Sequence, residues 1–240
     1  MKCLLFSKEN LWSEHLFNKL LLNSNYEWVH CTTINDYNKF IEDDISWSFF
    51  FHWNYLVPAH IYENNTCVVL HTSNLPDFRG GSPIQNQIIS GVKDSTVNAI
   101  KMSHKIDGGP VYDSVPVSLQ GSLTDIWLSI SELSCDLILN CIKNNIEPID
   151  QSSFKKVVKR RKTCEIPLDE IHTIYDLYDY VRMLDATGYE NSFVKIGPLK
   201  IKLSRAKIVD KNNILADALI EWDNNENFDN SSPDRDWETF

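Results

Sequence analysis

With 240 residues, 42% hydrophobic and 11% aromatic, the chain has apolar material for a sizeable core and one large domain, with or without a small one. Its formal net charge of −10 and pI near 5.1 disfavour a protein that lives on nucleic-acid phosphates, although a local basic patch can still act. No stretch approaches the ~20 apolar residues that span a bilayer. The N-terminus turns charged after a short apolar run and reads as a strand, not a signal peptide, so a cytoplasmic protein without membrane partners is expected.

The apolar run at residues 2–7 predicts a buried strand, and helical spacing follows over 14–22. Residues 46–51 and 66–71 read as further strands, the latter ending on His71. Strands alternating with helical runs indicate an α/β sheet, parallel in large part, whose ligand crevice lies beyond the carboxyl ends of its strands. A turn-rich loop from Thr72 leads into a helix over 84–90. Strands are expected at 96–102 and 110–119, then a long amphipathic helix over 123–142. The main domain is expected to span residues 1–150 and a small appendage 151–210, with a helix over 174–184 and a hairpin over 193–208. Residues 154–162 hold six basic side chains and read as a solvated linker. The acidic, Asn-rich segment 222–240 reads as a flexible tail. Six cysteines without Cys-x-x-Cys or Cys/His zinc spacing read as free thiols, so no metal site is expected.

Two segments concentrate the chemistry: Val69-Leu-His71-Thr-Ser-Asn-Leu-Pro76-Asp-Phe-Arg79-Gly80-Gly-Ser-Pro83 and His104-Lys-Ile-Asp107-Gly-Gly-Pro110. Taken alone, Asp107 is an ordinary turn aspartate and His71 a strand-end histidine. His104 reads as a loop residue and His52 as part of the sheet.

Together with Trp53-Asn-Tyr-Leu-Val-Pro58, these segments resemble the formyltransferase superfamily. Its pattern is Asn-x-His-x-Ser-x-Leu-Pro-x-x-Arg-Gly followed by an Asp-x-Gly-x-Ile/Val turn. The likeness is close over roughly residues 50–120 and weaker to about 208, where Arg160-Arg-Lys and Tyr180-Val-Arg-Met-Leu-Asp185 look like the small C-terminal domain of some members. The resemblance implies a Rossmann-like, mostly parallel sheet flanked by helices, with a small C-terminal α+β or β appendage. It also implies transfer of a formyl group from N10-formyltetrahydrofolate to an amine. His71 and Asp107 then take the catalytic roles, supplying a proton or hydrogen bond and ordering a water while negative charge develops on the formyl oxygen. Trp53, Asn54, Leu56, Met102 and Ile106 are expected around the folate. Arg79, Ser82 and Gln85 are expected to bind the acceptor, with the Arg79 guanidinium meeting its pyrophosphate oxygens.

One position departs from the pattern. Where the family has asparagine two residues before the histidine, this chain has Val69, which cannot donate to the formyl oxygen. Loss of one such donor costs about 10²–10³ in rate if nothing replaces it. Thr72, Ser73, Asn54 or a backbone N–H are the candidate substitutes. Among acceptors, a nucleotide-linked amino sugar, a 4-amino-4,6-dideoxyhexose on UDP or dTDP, is expected. Methionyl-tRNA is disfavoured by the acidic chain, and glycinamide ribonucleotide by the C-terminal module. No nucleic-acid partner is expected, and a homodimer is compatible with the reading. The alternatives are a non-catalytic folate-binding or regulatory module, or a formyltransferase acting on another small amine acceptor such as glycinamide ribonucleotide.

Overall fold

Apolar runs at successive strands decide the architecture. In the computed structural model, which describes residues 1–40, 45–151 and 157–222, three of these runs form β1 (Lys2–Phe6), β3 (Ile45–Phe51) and β4 (Cys67–Thr72). They are apolar on consecutive residues because both faces of the sheet are covered. Cys3, Leu5, Phe49, Phe51, Val68 and Leu70 point into one core, and Leu4, Phe6, Phe50, Cys67 and Val69 into the other. The first core is roofed by α1 (Leu11–Leu21), α3 (Pro83–Ile89) and α4 (Leu123–Asn144). The second is covered by a 3-10 segment at Ile34–Phe40 and by α2 (Ala59–Asn64).

The six-stranded sheet adds β2 (Glu27–Cys31) at one edge, and β5 (Asp94–Lys101) and β6 (Val111–Ser118) at the other, in the order β2-β1-β3-β4-β5-β6. The β1–β2, β1–β3 and β3–β4 pairings are parallel, whereas β4–β5 and β5–β6 are antiparallel. The expected α/β class with a mostly parallel, helix-flanked sheet is therefore what the chain adopts. Helix α4 opens on a capping box in which the Ser122 and Asp125 side chains satisfy each other's backbone N–H groups, and it closes on left-handed Asn145.

A second sheet, wholly antiparallel, comprises β7 (Phe193–Ile196), β8 (Leu199–Ile208) and β9 (Ile214–Trp222), preceded by α5 (Ile174–Arg182). The expected hairpin thus gains a third strand, and the sheet runs to Trp222. Strand β9 eluded the sequence because most of its side chains are exposed, so its apolar residues do not alternate toward a core. Strand β2 and helix α2 were also not anticipated; both are short, and neither carries the apolar periodicity of its neighbours. Residues 223–240 of the expected tail and 154–156 of the basic run lie outside the described residues. Among the described residues no helix is long and apolar enough to cross a membrane. The six cysteines are free and five are buried, with burial pushing the Cys31, Cys67 and Cys141 thiols up to about 12.

Candidate active site

Strand alternation on β4 puts Val69 and His71 on the same face, directed away from Leu70. His71 is buried, and its Nδ1 lies 3.4 Å from Oδ2 of Asp107. Its Nε2 faces the Phe78 carbonyl oxygen at 3.3 Å. Both ring nitrogens thus meet oxygen acceptors at long range, the kind of geometry that tightens when substrate arrives. Across the β4–β5 pair, Asn98 sits opposite His71 and donates through Nδ2 to the His71 and Ser73 carbonyls. The backbone that carries the imidazole is therefore held by a buried amide.

Asp107 reaches His71 from the turn between β5 and β6, where it adopts a left-handed φ of 48°. Gln151 fixes that turn by donating from Nε2 to the Asp107 and Gly109 carbonyls, each at 2.9 Å. Gly109 is required where it is, because a Cβ there would stand 1.9 Å from the Lys101 carbonyl oxygen. The Asp107 carboxylate is anchored in turn: its Oδ2 accepts the Gly80 N–H at 2.9 Å.

The loop from His71 to Ser82 is strapped from above. Val158 donates its N–H to the Arg79 carbonyl at 2.6 Å and accepts the Gly81 N–H at 2.9 Å. The two chains approach so closely that a Cβ on Gly80, whose φ is +103°, would lie 2.6 Å from the Val158 carbonyl oxygen. Ser82 Oγ accepts the Arg161 N–H, and Asn86 donates to the Gly81 and Lys159 carbonyls. Part of the run expected as a solvated linker is thus an ordered strap beside His71 and Asp107.

These pieces enclose a cavity of about 720 Å³ at the carboxyl ends of β3 and β4. It straddles the edge of the sheet. Trp53, Val57, Tyr62, Val69 and Met102 line it from one core, and Leu70, Trp127, Leu184 and Tyr189 from the other. Of the residues singled out in the sequence, His71, Asp107, Trp53, Asn54, Leu56, Met102, Ile106, Ser82 and Gln85 all line the cavity. Arg79, expected at the acceptor's pyrophosphate, does not: it is 2% exposed, and its buried guanidinium is withheld from the cavity. Thr72 and Asn54 among the substitute donors for Val69 also line the cavity, while the Ser73 hydroxyl is buried without a hydrogen-bond partner.

Among the lining residues, sequence reasoning gave no role in the site to Arg160, Lys162, His52 or Tyr189. Arg160 and Lys162 are exposed cations at the strap, and His52 and Tyr189 form a hydrogen-bonded pair with a 3.0 Å Nε2–Oη distance. Burial, with Lys8 and Arg160 adding to it, pushes His52 down to about 4. The run Arg160-Arg161-Lys162 was visible as charge; the His52–Tyr189 contact spans 137 residues and has no local signature.

Comparison with known proteins places this geometry. Residues 163–221 match a family model described as the methionyl-tRNA formyltransferase C-terminal domain. A methionyl-tRNA formyltransferase from Campylobacter lari is 28% identical over 129 residues, covering 51% of this chain and 43% of that protein. The chain spans about half the length of the curated relatives it matches. A 4-N formyltransferase from Francisella tularensis shares the fold, with a TM-score of 0.63 at 19% identity over 86% of this chain and 98% of that one. The structure of a methionyl-tRNA formyltransferase from Clostridium thermocellum superposes with a TM-score of 0.86 at 30% identity, covering 92% of this chain and all (100%) of that one. The chain belongs to the formyltransferase family.

Proposed function

We propose that the chain is an N-formyltransferase that moves the formyl group of N10-formyltetrahydrofolate onto the amine of a nucleotide-linked amino sugar, a 4-amino-4,6-dideoxyhexose on UDP or dTDP. The observation that carries this reading is the His71–Asp107 pair, held on the wall of one cavity that joins an apolar side to a basic strap.

A reduced folate fits the apolar side. Trp53, Leu56, Met102 and Ile106 offer flat and flexible apolar surface, and the buried Trp53 indole N–H lacks a hydrogen-bond partner among the described residues. The bound folate supplies the formyl carbon that the acceptor amine attacks. His71 presents a ring nitrogen to the developing charge and to the proton leaving the amine. Asp107 holds the ring and is itself held by Gly80 N–H. Val69 occupies the place of the family's asparagine, and Asn54, exposed on the cavity wall, supplies the side-chain amide in its stead.

Arg160 and Lys162 suit a pyrophosphate, a compact dianion that two cations beside a strapped loop can meet. The net charge of −10 opposes the many phosphate contacts that a large nucleic acid makes. A second reading, with methionyl-tRNA as acceptor, is favoured by the match of residues 163–221 to the methionyl-tRNA formyltransferase C-terminal domain. Incubation with formyl-folate and a panel containing UDP- and dTDP-linked 4-amino sugars and methionyl-tRNA, read by mass spectrometry, separates them. A formyl mass gain on a nucleotide sugar supports the first reading; gain on the tRNA alone replaces it with the second.

A further inference from the structure

On the wall of the cavity that faces the first core lies an aromatic box with one polar chain running through it. His52 follows β3 in a left-handed conformation, φ 48°. Its ring packs edge-on against Trp127 at 4.5 Å and Trp12 at 5.5 Å between centroids. Its Nδ1 lies 3.3 Å from Nδ2 of Asn10 and its Nε2 lies 3.0 Å from the Tyr189 hydroxyl. Neither Asn10 nor His52 has a role in the mechanism above.

Asn10 has a fixed orientation. As the N-cap of α1, its Oδ1 accepts the Ser13 N–H at 2.9 Å, and its Nδ2 donates to the Lys8 carbonyl at 3.1 Å. Flipping the amide would set donor against donor and acceptor against acceptor at once. The group facing His52 Nδ1 is therefore an N–H, so Nδ1 must accept. A neutral imidazole that accepts at Nδ1 carries its proton on Nε2 and donates it to the Tyr189 oxygen. The ring is neutral in this box because burial disfavours its charged form. That oxygen therefore accepts from His52, which leaves its own proton to be donated elsewhere, and the cavity is on its open side. Tyr189 and His52 both line the cavity.

We propose that Tyr189 is a specificity-determining donor to an oxygen of the acceptor substrate, with its polarity imposed by Asn10 through the tautomer of His52. The inference rests on the transferase reading and deepens it. An apolar box ending in a single O–H suits a ring face that carries a hydroxyl or carbonyl oxygen. An amine, which offers only donors when protonated, is poorly received there. The box thereby directs the amine-bearing end of the acceptor away from itself and toward His71 and Asp107. Asn10 and His52 are positioning residues, acting on the acceptor only through Tyr189.

The test combines kinetics with a direct view of the ring, using dTDP-4-amino-4,6-dideoxyglucose and its UDP counterpart as probes. In ¹⁵N-histidine spectra of the wild type, His52 should show a protonated Nε2 and a bare Nδ1. Tyr189→Phe keeps the ring and removes the donor; it should raise the KM for the nucleotide sugar about tenfold, as expected for one lost hydrogen bond, with the KM for formyl-folate held. Asn10→Ser keeps an N-cap acceptor but drops the amide donor, so it should release the His52 tautomer and raise the same KM. The double variant should be no worse than Tyr189→Phe, because Asn10 works only through that hydroxyl. A protonated Nδ1 in the wild type, or an unchanged nucleotide-sugar KM in Tyr189→Phe, overturns the proposal. Absence of any formyl transfer by the wild type to either probe sinks the nucleotide-sugar reading instead, and the ring spectrum then decides the polarity of Tyr189 on its own.

Discussion

Asp107 and His71 meet through the same carboxylate oxygen that anchors the strapped loop: Oδ2 lies 3.4 Å from His71 Nδ1 and accepts the Gly80 N–H at 2.9 Å. One carboxylate therefore ties the imidazole on β4 to the loop that follows it. Replacing Asp107 by asparagine preserves a carbonyl oxygen for Gly80 but turns an N–H toward the ring or leaves the loop unheld. Asp107→Asn is expected to lower kcat by about 10²–10⁴, the range for loss of positioned acid–base help. His71→Ala should fall in the same range, and the double variant should be little worse than the poorer single, since the pair acts as a unit. Steady-state kinetics on folded variants checks this; additive losses would mean that the two residues work independently.

The Gly80–Val158 crossing gives a stability prediction. Gly80→Ala places a methyl group 2.4 Å from Val157 Cγ1 and 2.6 Å from the Val158 carbonyl oxygen, at a φ that alanine rarely adopts. The strain and overpacking should cost at least about 2 kcal/mol, or roughly 4–8 °C in Tm. The acceptor KM should rise as well, because Arg160 and Lys162 belong to the displaced strap. Calorimetry with kinetics at a permissive temperature tests both effects; a Tm within a degree of wild type would show that the strap yields freely.

His52 makes stability depend on pH. Its folded value, about 4, lies below the ordinary 6.5, so between these values the unfolded chain binds a proton that the folded chain does not. Stability is therefore full above about pH 6.5 and is lost as pH falls, at up to about 1.4 kcal/mol per pH unit, or roughly 3 kcal/mol by pH 4. His52→Gln should remove this component and leave the carboxylate contributions that both proteins share. The Tm gap between wild type and variant should narrow from pH 7 to pH 4.5. A gap that stays constant would contradict a buried neutral ring.

Much of this fold was legible because burial on both faces leaves a plain mark. Val68-Val69-Leu70 and Phe49-Phe50-Phe51 are continuous apolar runs, as expected of strands covered on both faces. The β9 residues Leu215, Leu219 and Ile220 are exposed, so their apolar character marks no core-facing side of the strand. At the site, His71 and Asp107 were legible through the Leu-Pro-x-x-Arg-Gly and Asp-Gly-Gly turns that position them. Arg79 was expected at the acceptor because a guanidinium suits phosphate, yet it suits a loop anchor as well, and only its burial separates the two. The Asn10–His52–Tyr189 chain was illegible. Its members meet across 42 and 137 residues, and Asn10 announces itself only as a helix cap.

Val69 tests how the missing amide is replaced. It lines the cavity on the same strand face as His71. Val69→Asn is expected to hold or raise kcat, by up to the 10²–10³ range that one oxyanion donor supplies. Asn54→Ala is expected to lower kcat in the native background and to matter less beside Val69→Asn. A steep loss of activity in Val69→Asn, with the fold intact, would mean that the site requires an apolar side chain there.

The most direct single measurement is formyl transfer by wild type and His71→Ala, assayed side by side with formyl-folate and a dTDP- or UDP-linked 4-amino sugar, and with circular dichroism to show that both are folded. The wild type should convert the amine to a formamide seen by mass spectrometry, and His71→Ala should lose that turnover by about two orders of magnitude or more. Near-normal turnover by a folded His71→Ala would contradict the assignment and place the chemistry elsewhere in the cavity.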